Sequence, residues 1–204
     1  MSNNVINVTH IVGGLDVGGA ERALYRLIIS HKNKSAVFSH RVISLTTKGP
    51  LGLLLEENGI QVTALGMKGA RGGLKTFWRL SNILRKESPD VVQCWMYYSD
   101  LLGGIAARTS CNAKVIWGIR NSKFEAGGTL FKRAVRKICA FLSPFVPDKI
   151  VCVAESAREL HIGVGYHSAK MVVIPNGFEI DEFVHSAFDR QRFAPNGVSV
   201  KKEF

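Results

Sequence analysis

The sequence lacks the signals of several protein classes. No run in its 204 residues approaches the roughly 18 apolar residues that a membrane-spanning helix requires. The first eight residues, MSNNVINV, lack the basic and apolar regions of a signal peptide. The cysteines form no C-x-x-C pair, so we expect reduced and mostly buried thiols rather than a metal or redox centre. These absences predict a cytoplasmic protein.

Acidic residues are also scarce, with 16 Asp and Glu against 27 Lys and Arg, which gives a formal charge of +11 at pH 7. An excess of this size favours an anionic partner, which is nucleic acid, anionic lipid or a phosphorylated small molecule. Nucleic acid is disfavoured because the aromatic residues do not alternate with the basic ones as they do in base-stacking platforms. Neither His10 nor His161 has a partner at the spacing of metal ligands, so core or surface roles are expected and no metal site is predicted.

The sequence does contain a regular alternation of apolar, β-branched runs with stretches of helical period. The runs are VINVTHIV, RVISLT, IQVTALG, DVVQCWM, KVIWGI, KIVCVA and MVVIP. Repeated strand–helix–strand units require right-handed crossovers, which predicts an α/β fold with a doubly wound, mostly parallel Rossmann-like sheet of about seven strands. The runs place this domain in residues 1–180 and leave 181–204 as an interdomain linker or truncated tail.

Three predicted helices carry further signals. One has an apolar face made of Ala20, Ala23, Leu24, Leu27 and Ile28. Another is predicted to pack through Phe131, Ala134, Val135, Ile138 and Leu142, with its charges opposite at Lys132, Arg133, Arg136 and Lys137. That basic face is either simply solvated or docks on an anionic membrane. The third helix begins at SARE, where Ser156 is predicted to be the N-cap of a capping box with Glu159.

A glycine-rich stretch, GGLDVGGAERAL, follows the first apolar run. Gly18, Gly19 and Glu21 open the predicted helix, where unshielded backbone amides suit an anion or a polar ligand. The alternative is that the glycines only shape the turn and permit tight packing. The spacing is not G-x-G-x-x-G, and the second strand ends without an acidic residue, so a dinucleotide site is not predicted.

Five motifs together resemble the amino-terminal domain of glycosyltransferase family 4, a family of GT-B fold. They are GGLDVGGAERAL, PDVVQCWMYYSDLLGGIAAR, VIWGIRNS, KIVCVAESARE and VVIPNGFEIDEF, and they extend from about residue 5 to residue 185. The resemblance implies transfer of a sugar from a nucleotide-sugar donor to a glycan or lipid-linked acceptor, without a metal or other cofactor. The acceptor would bind mainly to this domain and the donor mainly to a second one.

The resemblance also implies which residues contact substrates. The glycine loop, with Gly18, Gly19 and Glu21, would face the interdomain cleft. The other implied substrate-binding residues follow later strands. Those on the acceptor side are Tyr97, Tyr98, Arg120 and Asn121, and the remaining two are Ser156 and Asn176. The tyrosines could instead cap the sheet, and Arg120 could pair with a carboxylate. Related sequences often carry histidine at the positions of Tyr98 and Asn121, whereas tyrosine and asparagine are not bases at pH 7.

The features of a donor domain do not occur in this sequence. In the family that domain supplies basic residues for the diphosphate and two glutamates eight positions apart, a separation that no glutamate pair shows here. We therefore expect the acceptor-side half of an enzyme, inactive alone and completed by a donor domain in cis or in trans. It would work in the cytoplasm, with peripheral contact at the inner membrane face. The alternative is a non-catalytic nucleotide-binding or membrane-docking module.

Overall fold

The computed structural model describes residues 5–34, 37–69, 72–124 and 129–177. It contains seven β-strands in the order in which the apolar runs predict them. They are β1 (Ile6–Val12), β2 (Phe38–Ser44), β3 (Gln61–Ala64), β4 (Val91–Trp95), β5 (Lys114–Ile119), β6 (Lys149–Cys152) and β7 (Met171–Val173). The predicted tail, residues 181–204, lies outside the described residues.

All seven strands form one parallel sheet in the order β3-β2-β1-β4-β5-β6-β7. Six helices connect them. They are α1 (Gly19–Lys34), α2 (Gly49–Glu57), α3 (Gly73–Glu87), α4 (Tyr97–Ser110), α5 (Leu130–Leu142) and α6 (Glu155–Ile162). The strand order reverses direction between β1 and β4, which is the switch point at which such sheets bind ligands. The predicted doubly wound α/β fold is therefore confirmed.

The sheet separates two apolar cores. Leu24 and Ile28 of α1 pack with Leu51 and Leu55 of α2 on one face, while α3, α4, α5 and α6 pack on the other. The predicted apolar face of α1 is therefore confirmed for Ala23, Leu24, Leu27 and Ile28, whereas Ala20 is not part of this core. On the α1–α2 face, no described helix covers β5 to β7, and Ile116 and Val172 are only half-buried there.

Two glycines set the distance between α4 and the sheet. A Cβ atom on Gly104 would lie 2.5 Å from Nε1 of the buried Trp117, and one on Gly103 would lie 2.8 Å from Cδ1 of Ile11. Neither neighbour can move away easily because both are fully buried. The paired glycines of the DLLGG motif are thus packing residues, and they hold the amino terminus of α4 close to the sheet edge.

The predicted packing face of α5 is wrong in part. Val135 and Leu142 contact the core, but Phe131, Ala134 and Ile138 are exposed. The helix packs instead through the smaller side chains of Cys139 and Ala140, together with Val135, so the bulky residues face outward. This leaves an exposed apolar surface, which we call the α5 stripe. Its members are Leu130, Phe131, Ala134, Ile138, Phe141 and Phe145.

The predicted capping box of α6 is also wrong. The N-cap is Ala154, whose carbonyl accepts hydrogen bonds from the amides of Ala157 and Arg158. Ser156 is already helical and exposed. The helix starts early because β6 ends at Cys152, so the chain turns into the helix immediately after Ala154.

The cysteines agree with the prediction. All four are free, and three of them, Cys94, Cys139 and Cys152, are buried. Within the described residues, no helix has both the length and the apolar character needed to cross a bilayer.

Candidate functional site

Two cavities open where the parallel strands end. One lies between the amino terminus of α4, the end of β5 and the first turns of α5, and we call it the α4–α5 cavity. The other, the α1–β7 cavity, lies between α1 and the segment that follows β7. Both are at the carboxyl edge of the sheet, where doubly wound folds bind their ligands.

The α4–α5 cavity has a volume of about 620 Å³, within the range of small-molecule sites. Three predicted site residues, Tyr97, Tyr98 and Asn121, line it together. So do three cations of α5 that the sequence placed on a solvated or membrane-facing surface. The described residues that line it are Met96, Tyr97, Tyr98, Asn121, Phe124, Lys132, Arg133, Val135 and Arg136. The cavity thus combines aromatic rings, neutral hydrogen-bonding groups and positive charge.

Tyr97 is held in place from behind by His161. The Nδ1 atom of His161 lies 2.6 Å from the carbonyl of Ala157, to which it must donate, so Nε2 accepts from the Tyr97 hydroxyl at 2.7 Å. Burial lowers the pKa of His161, which keeps the ring neutral. Burial also raises the pKa of Tyr97 to about 12, although Arg136 and a hydrogen bond with Asn121 oppose this. Tyr97 therefore offers the cavity a fixed hydroxyl oxygen and not a base.

In the α1–β7 cavity, Arg120 and Asn176 come together although 56 positions separate them. The Arg120 guanidinium donates to Oδ1 of Asn176 at 2.5 Å and lies 4.5 Å from the centroid of the Trp95 ring. Its Nε atom is buried and has no partner among the described residues. Arg120 is thus paired with an amide and an aromatic ring, not with the carboxylate that the alternative prediction invoked.

Three histidines form a hydrogen-bonded chain beneath this cavity. The indole N–H of Trp95 donates to Nδ1 of His10 at 3.2 Å, so His10 carries its proton on Nε2. His10 then donates to Nδ1 of His40 at 3.0 Å, and His40 donates to Nδ1 of His31 at 3.2 Å. Burial and the neighbouring histidines lower the pKa of His10 to about 3 and that of His40 to about 4. The neutral His10 ring fixes the orientation of Trp95 under Arg120.

The glycine loop lies at the same edge of the sheet. A Cβ atom on Gly19 would meet no atom within 4 Å, whereas one on Gly18 would lie 2.3 Å from Oε2 of Glu21. The surface beside Gly19 is therefore open enough for a ligand to approach the backbone. Ser156 is exposed on α6 and lines neither of the two cavities.

A buried carboxyl group lies behind the α4–α5 cavity. Asp100 is fully buried, its Oδ1 accepts from the amide of Gly118 at 3.4 Å, and its Oδ2 has no partner among the described residues. Burial raises the pKa of Asp100 well above its usual value, which favours the uncharged form of the group. Asp100 does not line the cavity itself.

Sequence reasoning missed several residues of this site. Trp95 and Phe124 were not distinguished from core residues, and Lys132, Arg133 and Arg136 were placed on an outward face. The basic pattern at the start of α5 was the available signal. No group of three or more His, Cys, Asp or Glu side chains that could hold a metal ion occurs in the described part of the chain.

A parallel sheet with helices on both faces, and with cavities at its carboxyl edge, defines a Rossmann-like ligand-binding domain. The sequence profile of glycosyltransferase family 4 matches residues 17–182, and the chain belongs to that family. No curated protein matches the chain by sequence.

Solved structures share the fold at low sequence identity. Anabaena HepE, in complex with UDP, has a TM-score of 0.72 and 15% identity, over 92% of this chain and 50% of its own. A glycosyltransferase from Rickettsia africae has a TM-score of 0.65 and 16% identity, over 95% and 51%. UDP-N-acetylglucosamine 2-epimerase from Rickettsia bellii has a TM-score of 0.60 and 17% identity, over 93% and 49%. The chain thus spans about half the length of these proteins and matches the amino-terminal half of the GT-B fold.

Proposed function

We propose that the chain is the acceptor-side half of an enzyme that transfers a sugar from a nucleotide-sugar donor to a glycan or lipid-linked acceptor. The chain belongs to glycosyltransferase family 4, and one structural observation supports the proposal. Tyr97 and Tyr98 at the start of α4 and Asn121 in the segment after β5 line one cavity at the carboxyl edge of the sheet. The fold alone would not select transfer, because an epimerase shares it.

The acceptor occupies the α4–α5 cavity. Its hydroxyl groups hydrogen-bond with Asn121 and with the oxygens of Tyr97 and Tyr98, and its sugar ring packs on the aromatic side chains. The site orients the acceptor hydroxyl without removing its proton, because Tyr97 has a raised pKa and Asn121 does not titrate.

The donor lies toward the glycine loop and the α1–β7 cavity. Gly19 permits close approach of the diphosphate to the backbone, whereas the carboxylate of Glu21 lies beside Gly18 in the same turn. Arg120 and Asn176 form a pre-paired polar group on that side, and Ser156 contacts the donor only if the second domain brings it close. Structures of HepE contain UDP or UDP-glucose, which supports a nucleotide-sugar donor for the present chain as well. Positive side chains and helix amino termini neutralise the leaving diphosphate, so the reaction needs no metal or other cofactor.

A donor domain completes the enzyme, in cis or in trans. The chain spans about half the length of the solved structures that it resembles. On the α1–α2 face, β5 to β7 have no described covering helix, although parallel sheets are normally covered on both faces. This face is a surface on which the remainder of the enzyme can pack.

The enzyme meets its acceptor at the inner face of an anionic membrane, which it contacts through the α5 stripe. Leu130, Phe141 and Phe145 are 83%, 74% and 71% exposed, and Lys137 lies beside them on the helix. An exposed apolar stripe with basic neighbours is typical of helices that lie in a membrane interface. Each cation near an anionic surface adds about 1 kcal/mol at most, so docking is reversible.

Vesicle sedimentation tests this contact. Phe141→Gln reduces partitioning onto anionic vesicles, while Leu53→Gln, which alters another exposed apolar residue on the opposite face of the sheet, does not. Equal partitioning of the two variants contradicts the assignment of the α5 stripe. Changing the basic residues is less informative, because Lys132, Arg133 and Arg136 also line the α4–α5 cavity.

The transferase activity is tested by mass spectrometry with a panel of nucleotide sugars and extracted glycan and lipid-linked acceptors. We expect no product from the chain alone and a glycosylated product once a family 4 donor domain is joined to it. Turnover by the chain alone contradicts the assignment as a half-enzyme. Vesicle or nucleotide binding without transfer, even with a donor domain that is active on its native partner, favours the alternative of a non-catalytic module.

A further inference from the structure

We infer that the acceptor carries a phosphate or diphosphate group, and that Lys132, Arg133 and Arg136 bind this group in the α4–α5 cavity. The inference rests on the proposed function, because it names the class of acceptor for the same cavity. It differs from the sequence prediction, in which these cations served only a solvated or membrane-facing surface.

The first observation that supports the inference is the positive charge of the cavity. Three cations are among the nine described residues that line it, and none of these nine is acidic. The buried Asp100 does not line the cavity, and its raised pKa favours the uncharged form. A neutral sugar needs hydrogen-bonding groups, whereas a concentration of positive charge within a concave surface is suited to an anion.

The second observation that supports the inference is the position of Arg136. Its guanidinium carbon lies 3.5 Å from the centroid of the Phe124 ring, and its Nε atom is buried with no hydrogen-bond partner among the described residues. The contact with Phe124 restricts the position of the guanidinium, and Arg136 is among the residues that line the cavity. A buried donor without a partner is unfavourable, and a phosphate oxygen is the acceptor that a guanidinium binds best.

The position of the cavity relative to the α5 stripe identifies the source of the phosphate. The rings of Tyr98, which lines the cavity, and Phe131, which belongs to the stripe, have centroids 5.8 Å apart. The phosphate site and the apolar surface are therefore adjacent on one helix. A lipid-linked phosphate places its charged group in the cavity and its hydrocarbon along the stripe. A nucleotide diphosphate has the same charged group but no hydrocarbon to place there.

Calorimetric titration of this chain with three probes separates these sources. The probes are inorganic pyrophosphate, geranyl diphosphate and UDP, each added at low ionic strength. We expect geranyl diphosphate to bind more tightly than pyrophosphate, because its tail contacts the aromatic side chains beside the cavity. UDP should bind no more tightly than pyrophosphate. If UDP binds most tightly, the cavity belongs to the donor and the inference is overturned. The inference is also overturned if neither pyrophosphate nor geranyl diphosphate binds.

Variants locate the binding. Arg133→Gln combined with Arg136→Gln should weaken binding of geranyl diphosphate by at least about tenfold, since each loses a charge-assisted hydrogen bond. The matched control is Arg85→Gln with Lys86→Gln, which removes the same charge from the last turn of α3 at the opposite edge of the sheet. Equal weakening in both double variants means that only net charge matters, and it overturns the inference. If the Arg136 change lowers the melting temperature strongly, the exposed Arg133→Gln alone decides, and no weakening by it overturns the inference.

This titration does not depend on catalysis. Sugar transfer to a neutral acceptor, with no binding of pyrophosphate or geranyl diphosphate, would refute the phosphate site and leave the proposed function intact. Binding at Arg133 and Arg136, with no transfer by the completed enzyme, would support the phosphate site and refute the proposed function.

Discussion

The histidine chain makes the stability of the protein depend on pH in a specific way. His10 is neutral in the folded state because its pKa is lowered to about 3, whereas in the unfolded chain it titrates near 6.5. Its contribution to stability is therefore complete above pH 6.5 and is lost as the pH falls toward 3. Between pH 7 and pH 5, the unfolded state gains a proton that the folded state does not, which destabilises the protein by about 2 kcal/mol.

Other groups titrate in the same interval. His40 acts in the same direction as His10, with a smaller effect because it is only half-buried, and the lowered pKa of His161 adds to both. Asp100 acts in the opposite direction, because its raised pKa keeps it protonated in the folded state and makes the protein more stable as the pH falls. The pH dependence of the unfolding free energy of the wild-type protein therefore does not report on the histidine chain alone.

A comparison of variants does isolate it. Urea denaturation of the wild-type protein and of His10→Gln, at pH 7 and pH 5, gives the difference in unfolding free energy at each pH. We expect the advantage of the wild type to shrink by about 2 kcal/mol at pH 5, because glutamine does not titrate. Asp100→Asn is the control for the opposing group and should leave the histidine effect unchanged. A difference between wild type and His10→Gln that is constant with pH would refute the proposed protonation state of the chain.

Three further predictions concern single residues. Gly104→Ala should lower the unfolding free energy by about 1–3 kcal/mol, measured in urea, because its Cβ would displace Trp117. Gly163→Ala, where the nearest atom is 3.5 Å away, should cost clearly less, and an equal cost would contradict the packing role. In the enzyme completed with a donor domain, Gly19→Leu should leave the melting temperature nearly unchanged but reduce the rate of sugar transfer, and a large fall in melting temperature with normal activity would make Gly19 structural. Arg120→Lys should raise the KM of the donor more than that of the acceptor in the completed enzyme, and the opposite pattern would move Arg120 to the acceptor side.

The strands could be predicted from the sequence because a parallel sheet that is covered on its faces requires β-branched apolar runs. Each of the seven runs corresponds to a strand, although β2 begins at Phe38, three residues before the predicted run. The early residues of β2 include Ser39 and His40, which are polar, so hydropathy alone does not mark them. Pairing of Val8 with His40 in the parallel register brings them into the sheet.

The orientation of α5 could not be predicted, because the helix has two faces that could each pack on a sheet. The larger face contains Phe131 and Ile138, and the smaller one contains Val135, Cys139 and Ala140. Sequence periodicity favours the larger face, whereas the structure places the smaller one against α4. This orientation turns Arg133 and Arg136 toward the cavity, which is why the cationic part of the site was missed.

The histidine chain was not foreseen for a different reason. It joins residues of β1, β2 and α1 that are up to 30 positions apart, and its order depends on the strand register. The start of α6 was predicted at Ser156 from a local motif, but the end of β6 determines where the helix begins. Local patterns therefore located the elements, while contacts between distant elements determined the site.

The central claim, that this chain binds the acceptor, is tested most directly by the kinetics of Asn121→Ala in the enzyme completed with a donor domain. Initial rates are measured while acceptor and nucleotide sugar are varied separately. We predict that kcat/KM for the acceptor falls at least about tenfold, with the donor KM unchanged, because Asn121 lines the α4–α5 cavity and not the α1–β7 cavity. A raised donor KM with an unchanged acceptor kcat/KM would contradict the claim.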